Sequence, residues 1–448
     1  MVKPERRTRA DLIVTAAIAA IIVAVGTTIW ATSPVNETTD SVATSSIAPA
    51  PPAQAAPAAL AQAWSAPAQS ADVADGLVIT GSGNAVEGRN PADGHVLWRY
   101  KRDIPLCDLV ARSAFGYPVG GSDTYVVAAF RNSRGCGEVT SLRGGDGFRG
   151  ATRSSLADKS VVLSTDGDLV LAQGDTRLEA WRTDLVRTVE YGRVQAPVNP
   201  NSQPEWQRLG GCELLSAAID AGRIAVIEHC KQDAGYRLSI ISASGQSDDK
   251  PEPYSSTVIT SGTTSQPPRV LGVGSDAVSV LTPAGSSIGD PTTVIGTYNL
   301  DGQRVSAATV DAPPVIPAGS LPNVSGNLIT FWTGISTVVI DATTLRVIFQ
   351  SPGAIGTGVL MGTDLVLPTA EGFSVHDAAT GAHKYSIPFA GNAAAKSPLV
   401  LRAVGTSIVE QSAGTVTVLK AVAAPADPSP SQSAPAQPSI VTSSAPSQ

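Results

Sequence analysis

This sequence predicts an all-β, radially repeated fold preceded by one membrane-spanning helix, and three observations predict it. Between about residues 60 and 422, short β-branched runs alternate with Gly, Asp and Asn turns, without a long amphipathic helix. The runs recur on one plan at spacings of about 35 to 60 residues. A single four-stranded unit of this kind cannot bury both faces, whereas a closed ring buries every inner face and hides most sheet edges. About 360 residues shared among eight units gives about 45 each, so we expect a β-propeller, with eight blades favoured over seven.

The 448 residues are 42% hydrophobic but only 15% charged, with 42 Gly and 33 Pro. Globular domains carry about a quarter charged residues, so this chain is charge-poor and rich in turn formers. Its net charge of −7 argues against a general nucleic-acid binder, which needs a basic surface to release counterions.

Residues 1–11 hold Lys3, Arg6, Arg7 and Arg9, and Leu12–Trp30 then runs for 19 residues without a charge. At about 1.5 Å per residue this just crosses a hydrocarbon core. The positive-inside rule leaves residues 1–11 in the cytoplasm and sends the remainder outside. A cleaved signal peptide is the competing reading. The length of the apolar run and the lack of an A-x-A site after it favour an uncleaved anchor. The expected location is thus the cell membrane, single-pass, with the C-terminal domain extracytoplasmic. Residues 31–59 and 423–448 are Pro-, Ala-, Ser- and Thr-rich, and read as a flexible spacer and a disordered tail.

The four cysteines, Cys107, Cys136, Cys212 and Cys230, are even in number in an extracytoplasmic chain and read as disulfides. Three connectivities exist, of which nearest-neighbour pairing is the simplest. A zinc site is the weaker alternative, because no C-x2-C spacing occurs and His229 beside Cys230 has no partner motif.

The clearest repeat copies are Leu77–Tyr100 and Leu365–Tyr385. Weaker ones lie at 139–151, 177–191, 236–246, 296–305 and 337–349, and an eighth, at 414–422, stops before its third strand. Closing the ring needs a fastener, so Leu60–Pro67 is expected to supply the missing outer strand, with Trp64 packing against the last blade. Asp93-Gly94, Asp146-Gly147, Asp166-Gly167 and Asp301-Gly302 sit between β-runs, so they read as hairpin turns needing positive φ rather than as metal loops. Trp98, Phe349 and Tyr385 read as blade-packing aromatics.

Asn90-Pro-Ala-Asp-Gly94 with Trp98, Asp377-Ala-Ala-Thr-Gly381 with Tyr385, and Asp341-Ala-Thr-Thr with Phe349 resemble the PQQ-like, quinoprotein-type β-propeller repeat. Joined to an anchor and a Pro/Ala spacer, such a propeller resembles membrane-anchored envelope proteins of actinobacteria. Quinoprotein dehydrogenases hold a quinone over the channel with Ca2+, a catalytic Asp and often a ring of adjacent cysteines. No Cys-Cys pair or matching acidic motif occurs here, so the resemblance implies the scaffold without the redox site. No cofactor or metal is expected.

Other chemistry is not signalled. There is no G-x-S-x-G, H-E-x-x-H or P-loop. His95 and His383 occupy equivalent turns of two copies, and His376 reads as a strand residue facing outward or stacking between blades. One asymmetry stands out: residues 99–159 hold ten basic and six acidic side chains. Beside the reading of a solvated mixed surface, Arg131, Arg134 and Arg143 form a candidate patch for anionic partners. The expected function is a non-catalytic, membrane-anchored binding or scaffolding module of the cell envelope, serving a protein complex or an envelope lipid or glycan. A quinoprotein-like oxidoreductase and an extracellular sensing domain are the alternatives.

Overall fold

The β-runs pair into eight antiparallel sheets, one for each repeat copy. The structure is a computed structural model. It describes residues 8–423 except 32, 34–35, 45–46, 114–123, 183, 194–210, 245–251, 265, 286–291 and 395–397. Residues 1–7 of the N-terminal stretch and 424–448 of the expected tail lie outside the described residues.

Each blade has strands a to d from the channel outward. Blade 1 is Ser70–Ala74, Leu77–Ser82, Ala85–Arg89 and Val96–Arg102. Blade 2 is Leu106–Ser113, Thr124–Asn132, Gly135–Arg143 and Arg149–Ser154, and blade 3 is Val162–Thr165, Val170–Gln173, Arg177–Trp181 and Arg187–Gly192. Blade 4 comprises Glu213–Asp220, Arg223–His229, Arg237–Ser242 and Pro253–Val258; blade 5 comprises Arg269–Val273, Ala277–Thr282, Thr293–Asn299 and Arg304–Val310. Blade 6 follows with Asn323–Ser325, Leu328–Trp332, Ser336–Asp341 and Val347–Pro352, then blade 7 with Val359–Met361, Asp364–Thr369, Gly372–Asp377 and His383–Pro388. Blade 8 takes Leu399–Val404, Ser407–Ser412 and Thr415–Ala421 from the end of the chain, and its strand d is Leu60–Pro67. The expected fastener is therefore present.

Inner strands run parallel to one another around the ring, as the pairing of Gly356–Thr357 with Leu399–Val400 shows. Antiparallel order within each blade then defines two faces. The strand ends that meet at a–b and c–d lie on the turn face, and those that meet at b–c and d-to-a lie on the crossover face.

Eight hydrophobic clusters fill the eight blade-to-blade interfaces, as closure requires. A recurrent contact seals them near the turn face. The strand-d aromatic of one blade lies on the c–d glycine of the next: Trp64 on Gly94, Trp98 on Gly147 and Phe349 on Gly381. These glycines all have φ +76°, so the turn geometry and the approaching ring both require the missing Cβ. Trp98 is buried and donates to the Gly144 carbonyl (2.9 Å). Trp64 thus seals the junction of the last blade with the first, donating to the Pro91 carbonyl at 3.0 Å, rather than packing on the last blade alone. His376 stacks on Phe349 between blades 6 and 7, and Asp-Gly positions 167 and 302 also have positive φ, as hairpin turns demand.

Outside blade 8, whose inner strand pairs with Gly356–Thr357, the channel edges of the inner strands have no partner strand in their own sheets, and their backbone N–H groups need acceptors. Side chains of neighbouring blades supply them. Ala111 N–H donates to Asp72 (2.8 Å), Leu163 N–H to Asp108 (2.9 Å), Ala217 N–H to Gln173 (2.9 Å) and Val270 N–H to Ser216 (3.1 Å). Arg402 of blade 8 donates to Asp72 of blade 1 (3.1 Å), carrying this stitching across the ring closure.

The segment expected to be a flexible spacer is docked instead. Thr38–Ser41 adds a fifth strand to blade 1, pairing with Arg99–Arg102. Ala43 N–H then donates to the Asp146 carbonyl (2.9 Å). Further along, Pro49 lies against Gly76, Ala50 against Gly405 and the Gln54 carbonyl against Gly362, all in a–b turns. Ala56 is held at both ends, its N–H donating to Asp364 (2.9 Å) and its carbonyl accepting from the Tyr385 hydroxyl (2.8 Å). The described part of this segment therefore forms a strap across the turn face over blades 1, 8 and 7.

Helix α1, Arg9–Ala31, is capped by a reciprocal Thr8–Asp11 pair and buries none of its residues. At 23 residues, with an 18-residue stretch of mean hydropathy 2.5, it is long and apolar enough to cross a membrane. Both cysteine pairs are nearest neighbours, Cys107–Cys136 and Cys212–Cys230, each tying the start of a strand a to the b–c turn of its own blade.

Candidate functional site

Among the described residues, a deep recess lies in the channel. Its cavity of about 680 Å³ is walled by the inner strands of blades 3 to 6. The walls are mainly aliphatic: Leu163, Leu215, Ala217, Ile219, Leu271 and Val273. Leu321, Val162 and Val324 on its rim are 52%, 43% and 65% exposed, unusual for side chains of this size. On the other half of the ring the turn-face mouth is crossed by the strap, with a smaller space of about 300 Å³ between Pro49–Ala53 and the a–b turns of blades 6 to 8 and 1.

Charge in the channel is sparse and placed at its ends. Asp166 and Asp220 sit at the turn-face end, and burial, with the neighbouring Asp166 carboxylate, pushes the Asp220 pKa up. Arg269 sits nearer the crossover face, where it donates to the Pro317 (3.1 Å) and Ser320 (2.8 Å) carbonyls. Burial lowers its pKa. A pyrroloquinoline quinone carries three carboxylates and would need cationic partners around a polar slot. Among the described residues the channel instead offers aliphatic walls, three carboxylates (Asp166, Asp220 and, at the b–c turn of blade 3, Asp175) and one guanidinium already holding backbone carbonyls. The residues present do not fit that cofactor, and no chemical step is derived through it.

A second cluster joins Glu228 to Cys212 and Cys230, with donor atoms within 4.8 Å of one another. Both sulfurs are committed to the disulfide. Burial raises the Glu228 pKa, and its carboxylate accepts from the Tyr191 hydroxyl (2.9 Å) and from Ser239 (2.5 Å). This is a packed, hydrogen-bonded carboxyl beside a disulfide rather than a metal site. Between blades 2 and 3, Arg153, Arg177 and Arg187 surround Glu179, while Arg177 and Arg187 also reach Glu190. Arg177, Glu179 and Glu190 are buried, and this closed network fixes the interface without facing a cavity of ligand size. The i, i+2 spacing of Arg177 and Glu179 on one strand face was its only sequence signal.

The candidate anionic-partner residues do not form one patch. Arg131 and Arg134 flank the b–c turn of blade 2 on the crossover face. Arg143 ends strand c level with Tyr125, on the turn face. Six residues of strand separate these levels, about 20 Å. Arg143 is further engaged, pairing with Asp146 and lying over the Phe148 ring. His95 and His383 both lie at c–d turns, of blades 1 and 7, but not at the same repeat position: the turn hydrogen bonds Asn90 N–H to His95 carbonyl and Asp377 N–H to Ala382 carbonyl match His95 to Ala382 and His383 to Val96.

No family model matches this chain, and no curated protein matches it. Among solved structures it is similar to the quinohemoprotein alcohol dehydrogenase ADHIIG from Pseudomonas putida HK5, with 13% identity over 85% of this chain and 79% of that one, at a TM-score of 0.44. It is also similar to Hsv2 from Kluyvelomyces marxianus, with 10% identity over 71% of this chain and 96% of that one, at a TM-score of 0.40. The eight sheets themselves define the class: an eight-bladed β-propeller with an N-terminal apolar helix.

Proposed function

We propose that this chain is a non-catalytic binding module, anchored by α1 with its propeller on the extracytoplasmic side, whose channel takes an amphiphilic molecule of the envelope, a lipid or glycolipid. The observation that carries the reading is the aliphatic cavity of about 680 Å³ with an exposed apolar rim. Pockets of this size and lining bury the apolar part of a ligand and orient it with a few polar groups. Here those groups are Arg269 and Asp175 toward one end and Asp166 and Asp220 at the other. No pairing of nucleophile and base lines the channel among the described residues, which supports binding over turnover.

Native mass spectrometry of the full chain, extracted from membranes in mild detergent, tests this. A bound amphiphile is expected, and Val162→Asp with Val324→Asp should remove it, because a charge would then sit where the acyl or isoprenoid part packs. A bare mass for the parent chain, or a ligand retained unchanged by the double variant, rejects the channel as the binding site.

A further inference from the structure

The docked strap fixes where the membrane anchor meets the propeller. Between Ala31 and Thr38 lie only six residues, a reach of about 25 Å if fully extended. The described part is turned rather than extended: Ser33 N–H donates to the Trp30 carbonyl (3.2 Å) and Asn36 N–H to the Ser33 carbonyl (2.9 Å). Thr38 pairs with Arg102, the last residue of strand d, and Asp103 N–H donates to the Glu37 carbonyl (3.1 Å). The chain thus arrives from α1 at the crossover face of blade 1.

The surroundings of that point are basic. Lys101, Arg131, Arg134 and Lys159 are exposed there, and the Arg131 guanidinium reaches the Lys159 carbonyl (3.4 Å), drawing neighbouring loops together. The acidic neighbours are Glu37, Asp103, Glu138 and Asp158, of which Glu138 is occupied by Arg102, Asn132 and Ser154 and Asp158 by Thr176 and Arg193. The opposite face has the reverse character, because Asx turns recruit aspartate: Asp93, Asp146, Asp341 and Asp377 cap c–d turns, and Asp166 and Asp220 lie at a–b turns.

We propose that the crossover face at blades 1 and 2 rests on the anionic head groups of the membrane that α1 spans, with Lys101, Arg131, Arg134 and Lys159 as its contacts. The inference rests on α1 being a retained span. The tether is too short to let the propeller range away from the bilayer, and charge complementarity selects which face turns toward it. The acidic turn face and the strap then point away, and the crossover-face mouth of the channel, with Leu321 and Val162 on its rim, opens on the membrane side. Arg143 lies on the wrong face to take part and serves as an internal control.

The test uses the full chain in nanodiscs of phosphatidylglycerol mixed with phosphatidylcholine, with a fluorophore on Ser133→Cys (crossover face) or Ala92→Cys (turn face). Spin-labelled head groups should quench the probe at 133 much more than the probe at 92. The difference should largely disappear with Arg131→Glu/Arg134→Glu and in high salt, and should survive Arg143→Glu. Equal quenching at the two sites, a stronger effect at 92, or an unchanged difference in pure phosphatidylcholine overturns the proposal. If the chain does not float with lipid at all, the anchor reading fails first and takes the proposal with it.

Discussion

Glu410 shows how one side chain sets a pH dependence. It lies on strand b of blade 8, is 9% exposed, and one carboxyl oxygen has no hydrogen-bond partner among the described residues. Burial alone raises its pKa to about 7. The folded chain therefore holds a proton between about pH 4.5 and 7 that the unfolded chain releases, and stability falls as pH rises through that window. The full penalty above the window is about 3 kcal/mol, taking 1.36 kcal/mol per unit. Glu410→Gln should recover much of this at pH 8 and little at pH 4; urea titrations of both chains at the two pH values check it, and equal differences at both would reject the burial argument. Gly147 makes the complementary point about backbone. It sits at φ +76° under the Trp98 indole, where a Cβ would lie 2.6 Å from a ring carbon. Gly147→Val should cost about 2–4 kcal/mol through strain and displaced packing, comparable to Trp98→Ala at about 3–5 kcal/mol. The double variant should cost less than the sum, because both act on one contact. Additive losses in thermal or urea unfolding would separate the two residues.

At the scale of elements, much was legible in the sequence, and what was not has a common cause. Blades 1 and 7 announce themselves because alternating β-branched residues, a turn glycine and a strand-d aromatic all fall in order, and the incomplete last copy calls for Leu60–Pro67. The strap was invisible because it binds through its backbone. Thr38–Ser41 joins a sheet edge, Ala43 and Ala56 use their amides, and Pro49 and Ala50 succeed because the glycines beneath them leave room. Composition reports side chains with surface to bury, and a Pro/Ala segment has little of it. The misjudged patch has a different origin. Arg131, Arg134 and Arg143 are close in sequence, but strand c of blade 2, nine residues long, carries its two ends to opposite faces of the ring. Linear proximity in a meander fixes the blade a residue belongs to, and the register then fixes the face.

For the molecule as a whole, closure is the property on which the rest depends. Each blade contacts its neighbours, so a closed ring of eight has eight interfaces and an opened one has seven. The interface at risk is that between blades 8 and 1, where Val409, Val416 and Val418 pack with Ala71 and Val78. Three links hold it: the Leu60–Pro67 strand along Thr415–Ala421, Trp64 on Gly94, and Arg402 on Asp72. Removing residues 38–67 deletes two of these, takes away the strap, and leaves the edge of Thr415–Ala421 unpaired, which invites pairing with a second chain. Stability in such a ring is shared through nearest-neighbour contacts, so the loss should not stay local. The shortened chain, still carrying residues 1–37, should unfold at a lower urea concentration than the full chain, lose the single transition, and self-associate on size exclusion. A shortened chain that keeps the parent midpoint and stays monomeric would show that seven interfaces suffice, and would move the source of stability from the closed ring to the individual blade pairs.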